Sequence, residues 1–187
     1  MDPRREMLIQ LLKDPDEEVR QSAADALERL EGLANLEALL EHYRSGDKVQ
    51  RLRAIYAFGK LNSEECLPPL IHALEDPAED IRAAAVRVLG EMANPQVLPA
   101  LVLRLQDASL TIQTMAVTAL GNFRSRQLVP HLLPLLQRDN KYLVLAALET
   151  LAKLNAREAL DSILLLARSQ DPDIRKTAAK VLGQIQG

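Results

Sequence analysis

Histidine, cysteine and the exposed arginines are the residues here that could bind a metal, attack a carbonyl or hold an anion, and their spacing decides among those uses. The histidines are His42, His72 and His131, and the one cysteine is Cys66. A structural or catalytic zinc needs two such ligands one helical turn apart, at i and i+4, or a Cys/His cluster. The three histidines fall in different helical columns, which makes each a surface or half-buried helix residue. Cys66 stands at the start of a helix, where a thiolate gains some stabilisation. No histidine or basic cluster lies beside it in sequence, so a buried or idle thiol is expected. The chain contains no G-x-x-x-x-G-K-[ST], G-x-G-x-x-G, G-x-S-x-G or H-E-x-x-H. The expectation is no catalytic residue, no metal and no cofactor.

What remains is the chemistry of contact, and its elements follow from a repeat. Comparing the chain with itself at an offset of 31 residues gives the column Ala23, Ala54, Ala85, Ala116, Ala147, Ala178. Four residues on stand Leu27, Phe58, Leu89, Leu120, Leu151, Leu182, and three further on Leu30, Leu61, Met92, Phe123, Leu154, Ile185. Positions i, i+4 and i+7 make one face of a helix, the second of each repeat. Upstream, Leu8, Leu39, Leu70, Leu101, Leu132 and Ile163, followed by Leu12, Tyr43, Leu74, Leu105 and Leu136, make the stripe of a first helix. Pro68, Pro99 and Pro130 recur near the starts of first helices, where a missing N–H costs nothing. Turns such as Asp14-Pro15-Asp16 and Asp76-Pro77 end the first helix and cap the second. Asp171-Pro172 leaves the last turn two residues shorter, so the last first helix is expected slightly out of register. The small residues Gly59, Gly90, Gly121 and Gly183, one after the Leu column, are expected to let neighbouring helices approach closely.

Leu67-Pro68-Pro69-Leu70, Leu74-Glu75-Asp76-Pro77, Ile81-Arg82-Ala83-Ala84-Ala85 and Leu89-Gly90 together resemble the short HEAT-like repeat, the class that includes phycobilin lyase-type repeats. Val97–Phe123 and Val19–Leu30 match it too, so the resemblance covers essentially the whole chain. It implies an all-α fold: a right-handed α-solenoid (α-α superhelix) of six HEAT-like helical hairpins with a 31-residue period. One domain is expected over 1–187, with repeats at about 4–31, 35–62, 66–93, 97–124, 128–155 and 159–186. In this class an arginine early in the second helix commonly pairs with an aspartate of the turn. Arg20, Arg51, Arg82 and Arg175 hold that column, Gln113 and Val144 break it, and Asp14, Asp76 and Asp171 are the expected partners in a structural ladder. Such a fold says little about function, because solenoids host many unrelated roles.

In a solenoid the second helices line the concave surface, where extended partners lie. The rows of these helices that face away from the core are polar in the end repeats. In the middle repeats they carry Leu52, Arg53, Tyr56, Arg87, Met115, Thr118, Tyr142, Leu145 and Glu149. Aromatics, Met and Arg are the types enriched at interface hot spots. The expected function is therefore a non-enzymatic interaction scaffold that binds a protein or peptide on this surface. The alternative reading is that Leu52, Met115 and Leu145 tuck into neighbouring repeats.

The resemblance supplies a rival. A phycobilin lyase or phycobilisome-associated subunit would hold a linear tetrapyrrole in the same groove, with Arg53 or Arg87 on the propionates and Tyr56 or Tyr142 stacked on the rings. A third reading, a DNA-binding protein of the alkylated-base glycosylase type, needs a basic face. Arg53, Arg87, Lys176 and Lys180 are opposed there by Asp25 and Glu149, and 23 Lys+Arg against 26 Asp+Glu give a net charge of −3. Phosphate neutralisation supplies much of nucleic-acid affinity, so no nucleic acid is expected. The start of the chain lacks the apolar core of a signal peptide and no run of 18 apolar residues occurs. The expectation is a cytoplasmic protein off the membrane, a monomer or a weak end-to-end dimer, with Asp2 to Glu6 covering one end and Lys176, Lys180, Gln184 and Gln186 the other.

Overall fold

The computed structural model describes residues 2–185, and among these the regular structure is helical. The helices pair as α1 Pro3–Leu11 with α2 Glu17–Ala34, α3 Leu36–Ser45 with α4 Lys48–Leu61, and α5 Leu67–Ala73 with α6 Glu79–Met92. They continue as α7 Leu98–Leu103 with α8 Leu110–Leu120, α9 Val129–Leu132 with α10 Lys141–Lys153, and α11 Leu160–Leu166 with α12 Pro172–Leu182. This is an all-α solenoid of helical hairpins. Gln186, expected as polar cover, lies outside the described residues. The hairpins pack as two compact units that divide at Pro69 and Leu70.

Short polar side chains start the second helices. Asp16 accepts from the N–H groups of Glu18 and Val19, Asp47 forms a reciprocal pair with Gln50, Asn140 accepts from Leu143, and Asp171 accepts from Asp173 and Ile174. Second helices end on Asn62, Ala93, Arg124 and Asn155, again 31 apart, with φ of 46°, 48°, 50° and 49°. A left-handed residue closes a helix by turning the chain out of it. Asparagine tolerates that conformation, whereas alanine and arginine pay for their Cβ. Pro134 is a sequence signal passed over above. It lies inside the expected first helix and removes an N–H, so α9 is four residues long and Leu133–Gln137 continues as a 3₁₀ turn.

In the first unit α1 packs on α2, α3 on α4, and α2 on α4. Ala23 and Ala54 are buried, and the rings of Tyr43 and Phe58 meet edge to face at 6.0 Å. The stripe of α1 is weaker than its column suggests. Leu8 is only half-buried, and Leu12 is exposed where Tyr43, Leu74, Leu105 and Leu136 are buried.

In the second unit α6, α8, α10 and α12 pack in chain order. Ala85, Ala116, Ala147 and Ala178 are all buried, as are Leu70, Leu101, Leu132 and Ile163 of the first-helix column. A Cβ built on Gly90 would stand 2.6 Å from the Cβ of Ala119 and 3.1 Å from its Cα, so the close approach expected of the glycine column is real between α6 and α8. Thr150, buried, donates to the Val117 carbonyl at 3.1 Å, and Asn122 donates to the Gly90 carbonyl at 3.1 Å.

Three expectations about the turns are corrected. Arg20, Arg82 and Arg175 reach main-chain carbonyls of their own turns rather than the carboxylates of Asp14, Asp76 and Asp171. Arg20 donates to the Asp14 and Pro15 carbonyls at 2.8 and 2.9 Å, and Arg82 to those of Asp76 and Pro77 at 2.7 and 3.2 Å. Gln113 does not break the series, since its amide donates to the Asp107 carbonyl six residues back at 2.7 Å. The last turn is not shortened either. Arg175 reaches the Ser169 and Gln170 carbonyls at 2.7 and 2.8 Å, again six and five residues back. The Asp-Pro pair has slid forward to become the cap and first residue of α12. The ladder between stacked turns exists at a different place: Arg82 also grips the buried Asp107 carboxylate of the next turn at 3.1 and 3.2 Å.

Candidate functional site

The lone chemical groups sit as their spacing suggests. His42, His72 and His131 are exposed and dispersed. Among the described residues no group of three or more His, Cys, Asp or Glu side chains is placed to hold a metal. Cys66 is fully buried, and burial pushes its thiol above the ordinary value, the opposite of activation.

The concentrated feature of the second unit is the outer face of α6, α8 and α10. Helix α8, Leu-Thr-Ile-Gln-Thr-Met-Ala-Val-Thr-Ala-Leu, carries no charge along its length. Its Ile112, Ala116, Val117 and Leu120 are buried, which leaves Leu110, Thr111, Thr114, Met115 and Thr118 toward the other side. Between α6 and α8 lies a cavity of about 320 Å³ with Arg87 and Glu91 on one wall and Met115, Thr118 and Asn122 on the other. Between α8 and the start of α10 lies a second, of about 450 Å³, with Leu110, Thr111, Asn140 and Tyr142 around it. Thr114 and Met115 line both, so the two are lobes of one cleft with α8 as its floor.

Two of the donors on that floor are already engaged. Thr114 donates to the Leu110 carbonyl at 2.8 Å and Thr118 to the Thr114 carbonyl at 3.1 Å, each one turn back in its own helix. The Asn122 amide is held by Gly90. With those protons committed within the helix, Thr114 and Thr118 have only methyl groups and acceptor lone pairs left to offer the cleft. Tyr142 is 71% exposed at its edge and Leu110 50%. Side chains of this kind left in water at a concave apolar site mark a place where something else can be buried.

Of the residues singled out from sequence, Arg87, Met115, Thr118 and Tyr142 are brought together around this cleft. Leu145, half-buried, and Glu149, exposed, lie on α10 outside both lobes. Leu52, Arg53 and Tyr56 belong to α4 in the first unit, with Leu52 half-buried and Tyr56 41% exposed. Met115 and Leu145 are likewise half-buried, between the open groove and the tucked-in alternative. Leu110, Glu91 and Asn140 were missed. Leu110 opens its helix, so its column of Glu17, Lys48, Glu79 and Lys141 is polar and gives no apolar signal. The first unit has a related cavity of about 410 Å³, with Asp25, Glu28 and Arg29 facing Ala57 and Lys60, each 62 residues before its counterpart at the α6–α8 lobe. Its rim is closed by its own contacts: Lys60 meets Glu28 at 3.0 Å and Arg29 donates to the Asn62 carbonyl at 3.2 Å.

A family model for HEAT repeats matches residues 3–59, 36–112, 67–148 and 129–187. The chain belongs to the HEAT-repeat family. No curated protein matches it. Among solved structures, this HEAT-repeat chain is similar to the complex of CpcE and CpcF of phycocyanin lyase from Nostoc sp. PCC7120, at 24% identity over 97% of this chain and 76% of that one, with a TM-score of 0.56. A designed armadillo repeat protein in complex with the peptide (KR)4 is 21% identical over 99% of this chain and 100% of that one, with a TM-score of 0.62. An archaeal HEAT-like repeats protein from Thermococcus onnurineus NA1 is 19% identical over 97% and 86%, with a TM-score of 0.55. At these identities the likeness is one of fold. Among the described residues no helix is long and apolar enough to cross a membrane.

Proposed function

We propose that this HEAT-repeat chain is a non-enzymatic scaffold that binds a protein or peptide segment on the outer face of its second helices. The observation that carries the reading is the cleft whose floor is the uncharged helix α8, with Met115 shared by both lobes and Tyr142 standing exposed at its edge. A designed armadillo relative of the fold holds a peptide, which supports a peptide as the kind of ligand such a surface takes. Selection of short random peptides against the full chain tests the proposal. Selected peptides should lose at least about tenfold in affinity to Met115→Glu, since that places a charge where an apolar side chain is buried, while the variant keeps its helical circular-dichroism spectrum. Peptides that bind equally well to Met115→Glu and to Tyr142→Ala would place binding elsewhere.

A second reading has Arg87 and Tyr142 on the same cleft in its favour: a linear tetrapyrrole could set a propionate on one and stack on the other, in keeping with the phycocyanin lyase likeness. Its test is a shift in visible absorbance when bilin is added. An unchanged spectrum at micromolar protein sinks it.

A further inference from the structure

The charges on the two helices that pack against α8, those of α6 lining the cleft and those of α10 lying just beyond it, follow a rule of sign. On the α6 side stand Arg87 and, one turn on, Glu91; on the α10 side stand Glu149 and, one turn on, Lys153, all exposed. At the level of Thr118 the border therefore reads positive, neutral, negative across α6, α8 and α10. Thr118 is the level to consider, because the next one is occupied: the Asn122 amide is held by Gly90, and the Lys153 stem lies within 3.3 Å of where a Gly121 Cβ would be. Resting on the scaffold reading above, we propose that the cleft takes an extended peptide running across α6, α8 and α10. The peptide carries one bulky apolar side chain over Met115, an acidic side chain about three residues to one side and a basic side chain about three residues to the other.

The spacing follows from helix packing. Two interhelix steps of about 8–10 Å separate the Arg87 and Glu149 borders. An extended chain advances about 3.3 Å per residue, so six steps cover that span. An apolar central residue fits best, because Met115 lies beneath it and the Thr114 and Thr118 hydroxyls already donate within α8, so a buried hydroxyl or amide there would exchange water for fewer hydrogen-bond partners. The flanking charges must be of opposite sign to each other because Arg87 and Glu149 are.

Fluorescein-labelled peptides test this with the full chain by anisotropy. Four cores suffice: Glu-x-x-Leu-x-x-Lys, its di-acidic and di-basic counterparts, and a version with serine at the centre, where x is alanine or serine. Exposed ion pairs are individually weak, so the mixed-charge peptide should lead each like-charged one by about threefold to fivefold, and salt should erase the lead. Serine at the centre should cost at least about tenfold. The decisive variant is Glu149→Lys, which makes both borders positive without touching the core: the di-acidic peptide should become the best of the four. Arg87→Glu should favour the di-basic one. Leucine-centred peptides that bind with a ranking blind to charge in the parent and in Glu149→Lys overturn the proposal and leave the scaffold reading standing. None of the four binding, while peptides from random selection still depend on Met115, overturns it likewise. The scaffold reading falls only if the selected peptides ignore Met115.

Discussion

Gly90 and Gly183 occupy the same column of the repeat, and alanine at the two should move stability in opposite directions. In a helix, glycine to alanine is worth about 0.5–1 kcal/mol in favour of alanine, because the unfolded chain loses freedom it would otherwise regain. At Gly183 the new Cβ meets only carbonyls of its own last turn, at 3.5 and 4.0 Å, and φ is −77°. That gain should survive, reduced by the position at a helix end to a few tenths of a kcal/mol or slightly more. At Gly90 the Cβ would sit 2.6 Å from one methyl of Ala119 and 3.1 Å from its backbone Cα. Ordinary carbon contacts lie at about 3.5–4.0 Å, and alanine has no rotamer with which to escape. Helices α6 and α8 must part by roughly 1 Å, which also stretches the Asn122 bond to the Gly90 carbonyl. Overpacking costs about 1–3 kcal/mol; after the helix gain the net loss is roughly 1–2 kcal/mol. For a chain of this size that lowers the thermal midpoint by about 2–8 °C. Differential scanning fluorimetry supported by urea titration reads both variants. A midpoint for Gly90→Ala equal to or above that of the parent would refute the claim that this column sets the distance between helices.

Three further outcomes are expected. Ala93→Gly should raise stability by about 0.5–1 kcal/mol, since φ of 48° costs alanine roughly 1–2 kcal/mol and glycine returns part of that through its freer unfolded state; urea midpoints of Ala93→Gly and Arg124→Gly at or below the parent's would count against it. Arg82→Ala should cost about 2–4 kcal/mol, because it strips two carbonyls and leaves the Asp107 carboxylate, only 4% exposed, with Arg104 at 3.6 Å as its remaining ion-pair partner; in a double-mutant cycle, Asp107→Asn should cost much less in the Arg82→Ala background than in the parent, and additive losses would show that the two are not coupled. The link from Lys141 to Asp171 and Asp173 should give a pH-bounded contribution: burial pushes Asp171 up, but Lys141 and the helix N–H groups hold it below the usual carboxylate range, while the two carboxylates raise Lys141. The difference in melting temperature between the parent and Lys141→Met should thus be full from above about pH 4 to below about pH 10, shrink as pH falls through the lowered value of Asp171, and shrink again as it rises through the raised value of Lys141; a difference constant from pH 2 to 12 would remove the pair from the ledger.

The fold was legible because each repeat states the same apolar positions again. Six buried alanines, and the column buried at Phe58, Leu89, Leu120 and Leu151, needed nothing beyond a 31-residue offset. Details that rest on the backbone rather than on side-chain type were harder. Asn62 and Asn155 are residues that accept a left-handed cap, yet Ala93 and Arg124 adopt it at the same step, so the column has no common chemistry to read. The arginine column was legible as a position and misread as to partner, because six residues back along the chain is a carbonyl as well as an aspartate. Where that residue is Ser169 instead, the bond is unchanged. The end of the chain was misjudged for the same reason: moving Asp-Pro two places forward looks like a deletion in sequence and is a new cap in structure. At the cleft, Met115 and Tyr142 could be found from residue type. Glu91 and Asn140 could not, since which neighbours enclose a space depends on how two helices cross.

Repeats that agree and repeats that differ therefore carry separate information. The positions that agree are those two helices share, and substituting one is paid for at both. A position free of that constraint can drift, and in most repeats it has drifted to charge: Asp25, Arg87, Glu149 and Lys180 stand in the column where α8 has Thr118, and Asp80 and Asp173 in the column where it has Thr111. Charge on an exposed helix face costs nothing and improves solubility, so its absence from all eleven residues of α8 is a departure that folding does not require. Solubility is served worse by Leu110, Met115 and Tyr142 than by the residues their neighbours use. An exposed neutral strip bordered by charges of opposite order on its two sides is what a surface needs in order to bury one apolar side chain and choose the direction of what flanks it. The core explains why this chain is a solenoid, and α8, the second helix that carries no charge, is where the proposed partner should be sought first.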